Sequence, residues 1–151
     1  MEQLDVEQKG GVFTLDPGAD RLRLFTHVGA FSHAFLEEEA EVPLGSCLCG
    51  RAAQSGELII SDNCFEDDRH DHAWPDMTAH GHYIVPLMDG STCVGVLFLY
   101  TAVNPTRLPA RTEALLQIGT LFAQAIVRDR QDRALERARR ETAVLAERLS
   151  V

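Results

Sequence analysis

Positions 42 to 56 carry the stretch Val42-Pro43-Leu44-Gly45-Ser46-Cys47-Leu48-Cys49-Gly50-Arg51-Ala52-Ala53-Gln54-Ser55-Gly56. The first four of these residues predict a brief extended segment. Ser46 or Cys47 then begins a short helix over residues 48–54. Gly56 ends that helix, because glycine readily adopts the left-handed conformation that commonly follows a helix. The stretch therefore predicts a short strand joined directly to a short helix.

The segments on both sides of this stretch predict an antiparallel sheet. Residues 21–28 alternate between polar and apolar side chains, which is typical of a half-buried strand. A turn rich in Asp, Pro and Gly separates them from residues 12–15, so the two runs form a hairpin. Ser32 begins a short helix, and residues 62–78 form a long loop. Further strands are predicted at 58–60, 83–87 and 94–100, giving an α+β domain with helices packed on the sheet.

The last third of the chain predicts one long helix that begins near Pro109. Apolar residues at three- and four-residue spacing form a stripe wide enough to pack on a sheet: Leu115, Ile118, Phe122, Ala125 and Ile126. The stripe stops at residues 128–133. It resumes in a narrower form, close to a coiled-coil seam, at Leu135, Ala138, Leu145 and Leu149. We therefore predict a globular domain over residues 1–127 and a helical extension over 128–151. The extension is either a dimeric coiled coil or a solvated tail.

The charge is distributed unevenly along the 151 residues, whose formal net charge is −9. Residues 1–100 hold 5 basic and 17 acidic side chains, whereas residues 101–151 hold 9 and 6. An acidic globule disfavours nonspecific binding to nucleic acid, which needs a basic surface. Uncharged apolar runs are too short for a membrane helix, and the first residues do not form a signal peptide. We therefore expect a cytoplasmic chain with no membrane insertion.

Residue types that bind metals are concentrated between positions 47 and 82, which hold three of the four Cys and four of the six His. Thiolates and neutral imidazoles are the ligands that zinc and similar transition metals prefer. His80 and His82 converge if their segment is a strand, because residues two apart point to the same face. His72 is expected to be a bystander. We predict a transition metal, zinc or non-haem iron, held by about four of Cys47, Cys49, Cys64, His70, His80 and His82.

Neighbouring side chains are predicted to support this site. A loop carboxylate is expected to hydrogen-bond a ligand imidazole, and Asp71, next to His70, is the best candidate. Trp74 closes the mouth of the pocket or anchors the loop, and Tyr83 is assigned a supporting position. A second chemistry competes with metal binding. Cys47 and Cys49 lie where a helix begins, which can lower the pKa of a thiol and prepare it for redox sensing or catalysis.

The stretch 42–56 resembles the central segment of a GAF domain, as does Val85-Pro86-Leu87 followed by Val94-Gly95-Val96-Leu97. The similarity covers about residues 10–127 and implies a six-stranded antiparallel sheet between helices, with Cys47, Cys64 and His82 around one pocket. Cys47-Leu48-Cys49-Gly50, together with Cys64, Arg69-His70-Asp71 and His80-Gly81-His82-Tyr83, resembles a subgroup attached to bacterial two-component sensors. GAF domains usually begin with a helix, whereas few residues precede the first strand here. We therefore expect a piece of a longer protein.

The resemblance implies a regulatory domain of a bacterial signal-transduction protein, such as a sensor histidine kinase, that is not itself an enzyme. A change at the metal or redox site would pass through the C-terminal helix of a homodimer to an output domain. Two alternatives remain open. Free methionine-R-sulfoxide reductases are GAF proteins that use cysteines in this pocket. Other GAF domains bind an organic small molecule or act as dimerisation modules.

Overall fold

The computed structural model describes residues 6–150, which form a six-stranded antiparallel sheet with helices on both faces. The strands are β1 (Val6–Thr14), β2 (Arg21–Val28), β3 (Glu41–Pro43), β4 (Ile59–Ser61), β5 (Gly81–Asp89) and β6 (Thr92–Thr101). Their order in the sheet is β3-β2-β1-β6-β5-β4. The helices are α1 (His33–Glu38), α2 (Cys47–Ser55) and α3 (Pro109–Leu149). The predicted fold class is confirmed.

Strand β5 separates two hydrophobic cores, because its successive side chains point to opposite faces of the sheet. Ile84 packs in the core beneath α2, together with Phe13, Leu48 and Phe98. Tyr83, Val85 and Leu87 belong to the other core, which α3 covers through three buried residues: Leu115, Gly119 and Ala123. Seven consecutive residues of β5 are buried, so each face of the strand contacts a different helix.

Helix α2 begins in an unusual way. The Ser46 side chain at its N-cap makes no capping hydrogen bond, and Cys47 has a left-handed φ of 50°. Instead, the Asp71 carboxylate accepts a hydrogen bond from the Cys47 backbone N–H at 2.7 Å. Gly56 ends the helix with a left-handed φ of 70°, as predicted.

Helix α3 runs without interruption past the sheet. From residue 131 to its end every described side chain is exposed. No helix in residues 6–150 combines the length and the apolar character needed to cross a membrane.

Gly50 provides a test of the close contact between α2 and β3. A Cβ atom at this position would lie 2.2 Å from the carbonyl oxygen of Pro43, which belongs to the backbone and cannot turn away. We expect Gly50→Ala to lower the free energy of unfolding by about 2 kcal/mol, because this overlap outweighs the better helix propensity of alanine. Urea denaturation measures the change. Arg51→Ala, at an exposed position of the same helix, is the control. Equal stability of the two variants would contradict the described contact.

Candidate functional site

Three histidines form a compact cluster on the face of the sheet that packs against α2. β5 carries His82, His80 immediately precedes that strand, and His70 comes from the long loop between β4 and β5. One ring nitrogen from each histidine lies within 4.8 Å of the others. The Nε2 atoms of His80 and His82 are 2.9 Å apart, and the His70 ring stacks on His82 with centroids 5.4 Å apart. The i, i+2 spacing therefore does bring His80 and His82 together.

The hydrogen bonds of the cluster leave ring nitrogens available. His80 Nδ1 lies 2.6 Å from the carbonyl oxygen of Thr78. Because a carbonyl can only accept, Nδ1 carries the proton when the ring is neutral, and the lone pair on Nε2 faces Nε2 of His82. Nδ1 of His70 and Nδ1 of His82 are buried without a hydrogen-bond partner. Such unpartnered atoms are costly, and a bound ligand or metal ion would offset the cost.

The three imidazoles are held in the form that binds metals. Burial lowers the pKa of His70, His80 and His82, most strongly for His82, which is 4% exposed. Repulsion from the neighbouring imidazoles lowers the pKa of His82 further. At neutral pH the rings are therefore uncharged, and a neutral imidazole offers a lone pair to a metal ion.

The cysteines lie around the histidine cluster rather than in it. Cys64 is buried, with its Sγ atom 3.4 Å from Nδ1 of His80, the nitrogen that does not face His82. Cys47 and Cys49 line a small cavity of about 40 Å³, partly open to solvent, whose wall also includes His70 and His82. No sulfur atom of these cysteines joins the group of mutually close ligand atoms among the described residues. The structure therefore does not bring the six predicted ligands to one point.

The direction of the thiol pKa shifts differs from the sequence-based expectation. Burial raises the pKa of Cys47 and, more strongly, that of Cys49. Desolvation of the thiolate outweighs the hydrogen bonds with the backbone of Asp71 and Leu48, which lower the pKa of Cys47. The prediction that the helix N-terminus prepares these cysteines as thiolates is wrong, because both thiols stay protonated at neutral pH.

The three residues predicted to support the site have different outcomes. Trp74 lines the cavity, with its ring edge-on to Phe35. Asp71 does not bond a histidine ring, because its carboxylate accepts from the backbone of Cys47. Tyr83 does not reach the site either. Its position on β5 directs it to the α3 face of the sheet, where its hydroxyl donates to the carbonyl oxygen of Thr106 at 2.6 Å.

Two groups in the cavity wall were not expected from the sequence. His72, predicted to be a bystander, lines the cavity, and its Nδ1 atom contacts a carboxylate oxygen of Glu39. Glu39 follows α1 and is 7% exposed. In the sequence it is one of three consecutive glutamates, and nothing in the spacing distinguishes it from the exposed members of that run.

Comparison with protein families identifies the fold. A family model described as GAF domain matches residues 1–127. This chain belongs to the GAF domain family. A comparison with curated proteins gives no match.

Solved structures with the GAF fold include signalling domains and enzymes. The chain is similar to the GAF domain of a phosphoenolpyruvate-protein phosphotransferase from Coxiella burnetii, with 15% identity over 84% of this chain and 76% of that chain and a TM-score of 0.70. It is also similar to the type II free methionine-R-sulfoxide reductase of Thermoplasma acidophilum. The identity is 18% over 78% of this chain and 77% of that chain, and the TM-score is 0.62. A third similar structure is the free methionine-R-sulfoxide reductase of Neisseria meningitidis, solved with its substrate. The identity is 18% over 83% of this chain and 70% of that chain, and the TM-score is 0.65.

These neighbours correct one expectation. The prediction that the domain is not an enzyme is wrong, because free methionine-R-sulfoxide reductases have the same fold. At identities this low the similarity establishes the fold alone, and both classes of function are compatible with it.

The lowered histidine pKa values predict how stability depends on pH in metal-free protein. The unfolded chain takes up protons near the ordinary histidine pKa of 6.5, whereas the folded cluster does so only at lower pH. The stabilisation is therefore complete above the unfolded value and is lost as the pH falls below it, by up to about 1.4 kcal/mol per pH unit for each histidine.

Urea unfolding in the presence of a chelator, from about pH 7.5 to about pH 5, measures this slope. We expect His82→Gln to reduce it, and we expect His27→Gln, at an exposed position of β2, to leave it unchanged. Identical slopes for wild type and His82→Gln would show that the cluster does not carry the effect.

Proposed function

We propose that this GAF domain is a sensory module that binds a divalent transition-metal ion through His70, His80 and His82. The proposal rests on one observation: three largely buried, uncharged imidazoles have ring nitrogens within 4.8 Å of one another. Two of the rings keep a buried Nδ1 atom with no hydrogen-bond partner. A cluster of neutral, unsatisfied imidazoles costs stability unless something binds it, and a metal ion is the ligand that suits these donors.

Three protein nitrogens leave at least one position of the metal open, since zinc takes four ligands and iron takes more. His70 and His82 both line the cavity, so we propose that a ligand from solution reaches the metal through it. The hydrogen bond from His80 Nδ1 to Thr78 supports this role, because it fixes the tautomer in which Nε2 is free to bind. Zinc and non-haem iron both accept imidazole ligands, so we propose one of these two.

Strand β5 supplies a route from this site to α3. His82 and Tyr83 are adjacent in the chain but lie on opposite faces of the sheet. The Tyr83 hydroxyl donates a hydrogen bond to the carbonyl oxygen of Thr106, three residues before α3 begins at Pro109. A small movement of His82 on ligand binding would therefore shift the start of the long helix.

We propose that the helix passes this movement on. In this proposal residues 1–127 form the sensory domain and residues 128–151 a coiled-coil extension through which two copies dimerise and act on a C-terminal output domain. The exposed apolar side chains after residue 130, which include Leu135, Leu145 and Leu149, support such pairing. The resemblance of the Cys-x-Cys-Gly and His-Gly-His-Tyr segments to two-component sensors supports a sensor histidine kinase as the parent protein.

Elemental analysis of protein purified without a metal-affinity tag tests the metal site. We expect about one zinc or iron ion per chain, and at least a hundredfold weaker binding in His82→Ala, because a ligand is lost outright. Cys64→Ser should bind nearly as well as wild type, since its sulfur lies off the cluster. His27→Ala is the matched control. Wild-type protein that binds no metal on titration would exclude the site. A His82→Ala variant that binds metal as tightly as wild type would also exclude it.

A thiol-dependent reductase is the second candidate, favoured by the position of Cys47 and Cys49 in the wall of the same cavity. For this function we expect thiol-dependent reduction of free methionine sulfoxide. The activity should be lost in Cys49→Ser but retained in Cys93→Ser, because the Cys93 sulfur of the wild type lies outside the cavity and donates to the carbonyl oxygen of Gly95. Wild-type protein that shows no turnover with a thiol reductant would exclude this candidate.

A further inference from the structure

Three consecutive loop residues each contact a different element around the cavity. His70 packs in the imidazole cluster against His82 of β5. Asp71 accepts a hydrogen bond from Cys47 at the start of α2. His72 pairs with Glu39 at the end of α1. This segment, residues 70–72, therefore joins the proposed metal ligands to the two helices that form the opposite wall.

The contact at Asp71 joins the loop that carries His70 to the helix that carries Cys47 and Cys49. The first turn of α2 needs acceptors for its free N–H groups, and Ser46 provides none through its side chain. Asp71 supplies one from 24 positions away in the sequence. Cys47 is also held at a positive φ, which a non-glycine residue keeps only when its surroundings enforce it. The orientation of the first turn, which carries Cys47 and Cys49, therefore depends on the loop.

The remaining loop contacts close the cavity over these thiols. Trp74 and Met77 line the cavity beside Cys47 and Cys49, and the Trp74 ring contacts Phe35 of α1 edge-on at 6.0 Å. Cys47 and Cys49 are only partly exposed while the loop is in place. If the loop moved away from α1 and α2, both sulfur atoms would become accessible from the side that the loop now covers.

We propose that metal binding at His70, His80 and His82 controls the chemical reactivity of Cys47 and Cys49, and that Asp71 is the positioning residue that couples the two. This inference rests on the proposed metal site. Nδ1 of His70 makes no hydrogen bond within the described chain, so a metal–nitrogen bond would add an anchor for this side chain. The anchored loop keeps Asp71 on Cys47 and the thiols covered.

Binding linkage sets the size of the effect. If the metal binds only the arrangement with the loop in place, the fraction of open molecules falls by the factor 1 + [metal]/Kd. Chemical modification of Cys47 and Cys49 that requires the loop to open then slows by the same factor. At a free metal concentration ten times the Kd, the rate should fall about tenfold.

The experiment follows alkylation by iodoacetamide with Co²⁺ as the only metal added. In this reaction the cysteine sulfur loses its proton and displaces iodide, forming a stable thioether that mass spectrometry assigns to each cysteine. In the wild type we expect Co²⁺ to slow alkylation of Cys47 and Cys49 about tenfold at ten times its Kd. Cys93, which does not line the cavity, serves as the internal reference.

Three variants separate positioning from charge. Asp71→Ala removes the acceptor and should reduce the protection to less than about twofold, with Co²⁺ binding about five- to tenfold more weakly. Asp71→Asn removes the charge but keeps an oxygen that accepts from Cys47, so it should retain most of the protection. Asp68→Ala removes an exposed carboxylate of the same loop and should behave as wild type. Circular dichroism establishes that each variant is folded.

The outcomes distinguish this inference from the metal site itself. If the protein binds Co²⁺ tightly but Cys47 and Cys49 are alkylated at the same rate with and without it, the coupling is overturned and the metal site stands. Protein that does not bind Co²⁺ would overturn both. A thiolate-to-cobalt charge-transfer band would show that the cysteines are ligands, and the coupling through Asp71 would then be wrong. Equal loss of protection in Asp71→Asn and Asp71→Ala would assign the effect to charge and also overturn it.

Discussion

The alternation of side chains along β5 is the constraint on which the site and its connection to α3 depend. His82 and Ile84 lie on the face beneath α2, while Tyr83 and Val85 lie on the face beneath α3. Both faces are buried, so the strand cannot slip by one residue without placing Tyr83 in the cavity and His82 in the apolar core under α3. The same pairing that positions an imidazole ligand therefore fixes the contact that reaches the long helix.

The cavity combines two chemistries that remain separate. The imidazoles are neutral because they are buried close together, and the thiols are protonated because they are buried beside the start of α2. Burial thus favours the metal-binding form of the histidines and disfavours the metal-binding form of the cysteines. Under the proposed function, this opposite effect of burial favours a metal site of three nitrogen ligands over a mixed site of nitrogen and sulfur ligands.

Much of the fold followed from local patterns in the sequence. Three elements follow from patterns within their own segments. These patterns are the alternation at residues 21–28 for β2, Gly56 for the end of α2, and the apolar stripe after Pro109 for α3. The spacing of His80 and His82 likewise predicted their convergence, since it needs only an extended backbone. The sequence could not show that Cys64 lies behind His80, because that depends on where the long loop rejoins the sheet. The bond between Asp71 and Cys47 crosses 24 positions, and no spacing rule anticipates it. The face on which Tyr83 lies also depends on strand register, which only the paired sheet fixes.

X-ray absorption at the metal edge of the zinc-loaded protein tests the central claim most directly, because it distinguishes sulfur ligands from nitrogen and oxygen ligands. The account predicts three imidazole nitrogens at about 2.0–2.1 Å from zinc and no sulfur. Sulfur at about 2.3 Å would contradict it, since the cysteines would then be ligands and the separation of imidazoles and thiols would not hold.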